Sequence, residues 1–87
     1  MNNPVTEFRE RLDLTRKEFS VLNGVVFSTL SNVESGNASI VAQKVIDGLR
    51  KAGIPWQELE DIQERYRRWL RDKVEQQIMK KREGERR

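Results

Sequence analysis

The chain of 87 residues contains neither cysteine nor histidine. These absences exclude disulfides, thiol nucleophiles, imidazole acid–base catalysis and zinc sites built on Cys and His. The longest purely apolar runs have three residues, as at positions 25–27, and are too short to span a membrane. The first residues also lack the basic and then hydrophobic segments of a secretory signal. We therefore expect a cytoplasmic protein of one small domain with no membrane partner.

Charge is abundant but unevenly placed. Lys and Arg number 17 against 14 Asp and Glu, which gives a formal net charge of +3. The excess lies at the C-terminal end, whereas no Lys or Arg occurs from Glu18 to Gln43. This middle segment therefore offers no cation to an anionic partner such as a nucleic-acid backbone.

The N-terminal third predicts two short helices. Asn3 and Pro4 suit a helix start, and Val5, Phe8 and Leu12 then fall on one face of a helix that should end near residues 13–14. The segment Thr15-Arg16-Lys17-Glu18 fits a capping box, which predicts a second helix beginning there. Phe19 and Leu22 form its apolar pair, and Gly24 is placed to end it in the left-handed conformation.

Two further helices are predicted before residue 54. Leu30 and Val33 mark the inner face of a third helix over residues 27–35, which Gly36 ends. Ser39 is the predicted cap of a fourth helix, which Gly53 closes. The apolar residues of this fourth segment are Val41, Val45, Ile46, Leu49 and Ala52.

The segment after Pro55 differs in character. From about Trp56 to Arg82 it contains no Gly or Pro, and a continuous helix there would be about 39 Å long. A domain of some 54 residues is too small to bury the whole apolar stripe of such a helix, so we expect a second copy to cover part of it. The predicted dimerisation residues are Leu59, Ile62, Tyr66, Trp69, Leu70 and Val74. The alternative is a packing helix with a solvated, mixed-charge face.

The segment TRKEFSVLNGVVFSTLSNVESGN resembles the lambda-repressor-like (Cro/cI-type, XRE) helix-turn-helix family, whose pattern runs roughly T-Q-E-E-L-A-x-x-A-G-V-S-x-x-T-L-S-x-I-E-x-G-K. The residues that match outright are Thr15, Glu18, Gly24, Val25, Thr29, Leu30, Ser31, Glu34 and Gly36. Phe19, Ser20 and Val33 match in kind. The resemblance covers about residues 5–54.

The resemblance implies that residues 1–54 form a helix-turn-helix DNA-binding domain. Together with the long helix predicted from the residues after Pro55, this gives an all-α fold of five helices whose fifth helix is long and extended. Residues 55–82 would be the dimerisation helix and residues 83–87 a basic disordered tail. Arg9 and Glu34 fall where the family places a structural ion pair. The implied function is a sequence-specific, dimeric transcriptional repressor of the phage or mobile-element type, associated with the nucleoid, that places helix 3 in the major groove of a two-fold operator.

The same resemblance assigns contacts with double-stranded DNA. The residues expected to meet base edges are Phe27, Ser28, Ser31 and Asn32, with Val26 just before them. The residues expected to meet phosphates are Thr15, Arg16, Asn37, Ser39 and Lys44. Asn32 offers an amide donor and acceptor for adenine, and Phe27 and Val26 offer apolar contacts for thymine methyl groups.

Departures from the family pattern keep a second function open. Val26 stands where the family commonly has Ser, and Asn37 and Ala38 stand where it commonly has Lys or Arg. The alternative is a protein-interaction module on a helix-turn-helix scaffold, such as an antirepressor, co-repressor or antitoxin, which binds another regulatory protein. Phe27 accordingly contacts a base, contacts a protein or folds back onto the core. We expect neither enzymatic activity nor a cofactor or metal site.

Overall fold

The computed structural model describes residues 2–85, and this part of the chain is all α-helical without a strand. The elements are α1 (Pro4–Arg11), α2 (Arg16–Asn23), α3 (Phe27–Ser35), α4 (Gln43–Lys51), α5 (Trp56–Leu59) and α6 (Ile62–Glu85). Five of them have eight residues or more, and α5 is a single turn. The predicted all-α class and long C-terminal helix are therefore confirmed.

The first helix begins where the sequence predicts and ends earlier. Asn3 caps α1, and its Oδ1 accepts hydrogen bonds from the N–H groups of Val5 and Thr6. The helix ends at Arg11 rather than near residues 13–14. Asp13 takes a φ of 58°, a left-handed conformation that ends the helix and turns the chain toward α2.

The predicted bounds of α2 and α3 are confirmed. Thr15 caps α2 through a reciprocal capping box with Glu18, and Gly24 ends the helix with a φ of 64°. α3 covers residues 27–35, as predicted, and Gly36 ends it with a φ of 85°. Because only glycine takes such a φ without steric cost, Gly24 and Gly36 set the C-terminal ends of α2 and α3.

The fourth helix does not start at Ser39. It starts at Gln43, and Ala42 precedes it without a side-chain cap. The reason lies outside the segment, because the Gln63 side chain bonds both the N–H and the C=O of Val41. With both groups engaged by a side chain, residue 41 stays outside the helix.

The predicted continuous helix over residues 56–82 is interrupted. A turn at residues 60–61 separates α5 from α6. Leu59, before the turn, and Ile62, after it, are both buried, at 1% exposure each. α6 then continues through residues 83–85, which were predicted to belong to a disordered tail. The remainder of that predicted tail, residues 86–87, lies outside the described residues.

The hydrophobic core extends across residue 55 and is not confined to residues 1–54. Its fully buried members include Leu59, Ile62 and Tyr66, which contact the same cluster as Phe19 and Leu30. These three side chains are therefore core residues of one chain and do not form the dimerisation surface predicted for them. Trp69 and Leu70 are partly buried against the same core.

The second half of α6 lies outside this core. The molecule measures 49 × 25 × 20 Å along its principal axes. From Val74 onward, the described α6 side chains are exposed. None of the described helices is both long enough and apolar enough to cross a bilayer. Residues 2–85 also contain no cluster of three or more potential metal ligands of the Asp, Glu, His or Cys type.

Candidate nucleic-acid interface

The inner side of α3 is fixed to the domain. Leu30 and Val33 are buried at 0% and 1% exposure, and they occupy one face of the helix. Glu34, one residue further on, is also buried, at 6%. Because a buried carboxylate is stable only when it is paired and hydrogen-bonded, Glu34 needs partners from neighbouring elements.

Glu34 forms the predicted ion pair with Arg9. Arg9 Nη2 lies 2.9 Å from Glu34 Oε1, and Arg9 Nε lies 3.0 Å from Glu34 Oε2. The Thr6 hydroxyl donates to Oε1 over 2.8 Å, and Arg16 Nε lies 3.5 Å from the same oxygen. The hydrogen bonds with Glu34 raise the pKa of Arg9 above its ordinary value. The network ties α1, α2 and α3 together in one orientation.

Asn3 adds a link that the sequence did not predict. Besides capping α1, its Nδ2 donates to the carbonyl oxygens of Val33 and Glu34, at 3.0 and 3.1 Å. These carbonyls belong to the last turn of α3, where helices leave acceptors unsatisfied. The sequence does not reveal this second role of Asn3, because its acceptors lie on a helix distant in the chain.

The outer side of α3 is open to solvent. Phe27 keeps 51% of its surface exposed, and Ser28 and Asn32 are exposed as well. Ser28 and Asn32 are four residues apart and therefore lie on one face of the helix. Phe27 does not fold back onto the core, which excludes one of the three readings of this residue. Three of the four predicted base-contact residues are thus accessible to a ligand.

Ser31 is the exception among the predicted base-contact residues. Its Oγ is buried and has no hydrogen-bond partner within the described part of the chain, as is also true of Ser20 Oγ. A hydroxyl without accessible surface does not reach a base edge. Ser31 is therefore better described as a small packing residue, and its predicted base contact is not supported by this geometry.

The start of α2 is less available to a phosphate than predicted. The N–H of Thr15 donates to Glu18 Oε1 over 2.9 Å, and the Thr15 hydroxyl oxygen accepts from the Glu18 N–H. These bonds lower the pKa of Glu18, so this carboxylate stays negative beside the helix start. Arg16 remains partly accessible, with 43% of its side chain exposed. The backbone N–H of Thr15 is not a free phosphate donor.

The remaining predicted phosphate-contact residues are exposed. Asn37 and Ser39 lie in the segment between α3 and α4, and Lys44 lies in the first turn of α4. The backbone N–H groups of Asn37 and Ala38 both donate to the carbonyl of Asn32. The start of this segment is thus fixed to the end of α3, while its polar side chains face solvent.

A cluster of exposed apolar side chains surrounds the turn between α2 and α3. This turn patch consists of Val21, Leu22, Val26 and Phe27, whose exposures are 74%, 70%, 59% and 51%. The prediction that Leu22 pairs with Phe19 on the buried face is wrong, since only Phe19 is buried. In the apolar run at positions 25–27, Val25 is buried and the other two residues are exposed. Four exposed apolar residues within a segment that contains no Lys or Arg are unusual for a phosphate-facing surface.

The predicted dimerisation residues, which lie on α5 and α6, differ in burial. Leu59, Ile62 and Tyr66 are in the core, Trp69 and Leu70 are partly buried, and Val74 is 44% exposed. Ile78 and Met79, which the prediction did not include, are exposed at 45% and 62%. The exposed apolar surface of α6 is therefore the distal one around Val74 and Ile78.

Comparisons with known proteins add no relative: no family model, curated protein or solved structure matches the chain. The grounds for a function are therefore the residues of the 15–37 segment and the geometry of α2 and α3. Two features of that geometry bear on function. One is the rigidly held α3 with an open outer face, and the other is the turn patch.

Proposed function

We propose that this protein is a sequence-specific DNA-binding regulator, in which α2 and α3 form a helix-turn-helix and α3 enters the major groove. One observation carries the proposal. α3 is fixed on its inner side by Leu30, Val33 and the Arg9–Glu34 pair, while Phe27, Ser28 and Asn32 stay exposed. A short helix held rigidly with a free polar and aromatic face suits base readout. The resemblance of residues 5–54 to the lambda-repressor-like family supports the same function.

The exposed residues of α3 suit particular bases. The Asn32 amide pairs with adenine through one donor and one acceptor, and the Ser28 hydroxyl contacts several bases. Phe27 and the adjacent Val26 provide apolar surface for thymine methyl groups. The operator is therefore expected to be rich in A·T pairs where these residues meet it.

Affinity requires more cations than one copy supplies. Arg16, Lys17 and Lys44 are the exposed basic residues that would flank the docking face of α3, and each phosphate neutralised releases counterions. A homodimer doubles these contacts and matches a two-fold operator. The distal part of α6 supports a dimer, because Val74 and Ile78 expose apolar surface one helical turn apart. Bound across a promoter, the dimer would repress transcription by excluding polymerase.

Selection of bound fragments from random duplex DNA tests the proposal. We expect an enriched two-fold sequence, followed by saturable binding in a gel-shift assay. If each of the three cations meets one phosphate, log Kd should change with log salt by about 3 for a monomer and about 5 for a dimer. No enrichment, together with binding no stronger than to random duplex, would contradict the proposal.

Substitution of Asn32 tests which face reads DNA. We expect Asn32→Ala to cost about 1–3 kcal/mol of discrimination at one base pair while leaving the thermal midpoint unchanged. Asn2→Ala is the matched control, because Asn2 is an exposed asparagine ahead of α1. Equal effects of the two substitutions on sequence preference would rule out base contact by Asn32.

The turn patch favours a second candidate function, a protein-interaction module on the same scaffold. Its four exposed apolar residues and the lack of Lys and Arg from Glu18 to Gln43 suit an apolar protein partner better than a polyanion. Leu22→Gln separates the two functions, since it removes apolar surface without adding charge and Leu22 lies outside the proposed base-contact set. Under the DNA-binding proposal this substitution leaves operator affinity within about twofold at constant salt, because phosphate attraction is unchanged. A chain without operator binding that loses a protein partner on this substitution would instead be the interaction module.

A further inference from the structure

Side chains on one face of α6 bind the backbone of the segment between α3 and α4. The side chains involved are Gln63, Tyr66, Trp69 and Lys73. They recur every three or four residues and therefore share one side of the helix. Each contacts a different point of residues 35–41, which we call the α3–α4 segment. The contact is unexpected from the sequence, because the two parts of the chain are more than 20 residues apart.

Gln63 makes the most specific of these contacts. Its Nε2 donates to the carbonyl oxygen of Val41 over 2.7 Å, and its Oε1 accepts from the N–H of the same residue over 2.9 Å. The side-chain amide thus satisfies both backbone groups of Val41, which is fully buried. Such a two-point bond fixes both the position and the orientation of the peptide.

Two further contacts fix the start of the segment. The Tyr66 hydroxyl donates to the carbonyl oxygen of Ala38 over 2.6 Å. The Lys73 ammonium donates to the carbonyl oxygen of Ser35, the last residue of α3, and lies 5.2 Å from the centre of the Trp69 ring. A cation beside the final carbonyls of a helix is favourable because of the helix dipole.

The α3–α4 segment carries two of the residues predicted to contact phosphates. Asn37 and Ser39 are exposed and lie between the points held by Lys73, Tyr66 and Gln63. Polar side chains on a mobile loop lose conformational freedom on binding, which weakens each contact. A segment whose backbone is already fixed avoids part of this loss.

We propose that Gln63, Tyr66 and Lys73 are positioning residues for DNA binding, which hold the α3–α4 segment so that Asn37 and Ser39 meet the phosphate backbone. This inference rests on the proposed function. The long helix thereby contributes to the DNA-binding surface without contacting DNA. The contribution is separate from any role of distal α6 in dimerisation.

Two substitutions that leave the net charge unchanged test the inference. Gln63→Met keeps the length of the side chain and removes both bonds to Val41, whereas Tyr66→Phe removes only the hydroxyl. Since neither alters phosphate attraction, a loss of affinity reflects the shape of the segment. We expect operator binding to weaken about fivefold for each, as for a lost hydrogen bond. Gln77→Met, on the exposed part of α6, is the matched control and should bind like wild type.

A double-mutant cycle distinguishes positioning from general stability. In a chain already carrying Asn37→Ala and Ser39→Ala, the phosphate contacts of the segment are absent. Gln63→Met should then weaken binding by less than about twofold, because its effect passes through those contacts. Folding is checked in parallel by thermal unfolding, with all variants folded at the assay temperature. Amide exchange at Val41 should be faster in Gln63→Met.

The outcomes separate the two proposals. Wild-type affinity in Gln63→Met and Tyr66→Phe overturns the inference and leaves the proposed function intact. The same conclusion holds if the loss of affinity persists undiminished in the Asn37→Ala, Ser39→Ala background, or arises only because the variants unfold. If the wild-type chain selects no operator, the proposed function fails, and the inference fails with it.

Discussion

The two halves of α6 have similar helix-forming propensities, but one packs against the core and the other is exposed to solvent. Residues 62–73 contribute Ile62 and Tyr66 to the core and hold the α3–α4 segment. Residues 74–85 include no buried side chain among those described, although Val74 and Ile78 continue the apolar row in steps of four. The contrast shows that an apolar stripe determines which face of a helix can be buried. The neighbouring elements determine whether that face is buried.

Aspartate substitution in each half should give the largest difference. Tyr66→Asp places a carboxylate in a fully buried site and should cost about 4 kcal/mol or more, enough to unfold so small a domain. Ile78→Asp, at a site that is 45% exposed, should change stability by about 1 kcal/mol at most. Urea unfolding followed by circular dichroism measures both. Similar losses for the two variants would abolish the distinction between the halves.

Charge introduced at the distal apolar sites should change the oligomeric state rather than the fold. If Val74 and Ile78 contact a second copy, Val74→Asp combined with Ile78→Asp should convert the dimer to a monomer, because facing carboxylates repel and lose apolar contact. Sedimentation equilibrium gives the mass, and Gln76→Asp combined with Gln77→Asp controls for added charge. An unchanged mass in the first pair would remove distal α6 from the dimer proposal.

The proximal half should make stability sensitive to alkaline pH. Burial raises the pKa of the Tyr66 phenol above its ordinary value of about 10. The folded state therefore holds this proton more tightly than the unfolded state. The stabilising contribution is complete below about pH 10 and is lost as pH rises through the raised value. Because the chain has one tyrosine, phenolate absorbance in the folded and urea-unfolded chain reports this site alone. Ionisation at the same pH in both would contradict burial.

The smallest effects should come from arginines on the solvent side of the proximal half. Arg65 pairs with Glu7 of α1 at 3.1 Å and lies over the Phe8 ring, whereas Arg68 pairs with Glu64 of its own helix. We expect Arg68→Met to cost about 0.5 kcal/mol or less and Arg65→Met slightly more, since it also loses the aromatic contact. Thermal unfolding at low and high salt measures both. A larger loss for Arg68→Met would reverse the assigned importance of the α1 contact.

Local signals in the sequence predicted the first three helices well. These signals act through hydrogen bonds and dihedral angles within a few residues, so their effect can be predicted without knowledge of the fold. They are Asn3, the Thr15–Glu18 box, Gly24 and Gly36. The prediction that Ser39 caps α4 was wrong because it depended on local chemistry alone. Ser39 has a side chain suited to a cap, but the contact of Gln63 with Val41 moves the helix start to Gln43.

The candidate site was predictable only in part. The Arg9–Glu34 pair and the exposed positions Phe27, Ser28 and Asn32 follow from the family resemblance, and the structure places them accordingly. Ser31 was misplaced because a helix of nine residues gives too few turns to decide which flank is covered. The exposure of Leu22 was also missed, since apolar residues in a short amphipathic helix are ordinarily assigned to the core.

Composition and interactions between residues close in the chain are sufficient to specify the all-α class, the capping box of α2, the glycine ends of α2 and α3, and the absence of Cys and His chemistry. The burial of Tyr66 in the core and the bonds between Gln63 and Val41 become apparent only in the folded chain. Such contacts join residues far apart in the chain, and their partners are selected by the packing of whole helices, which no local pattern specifies.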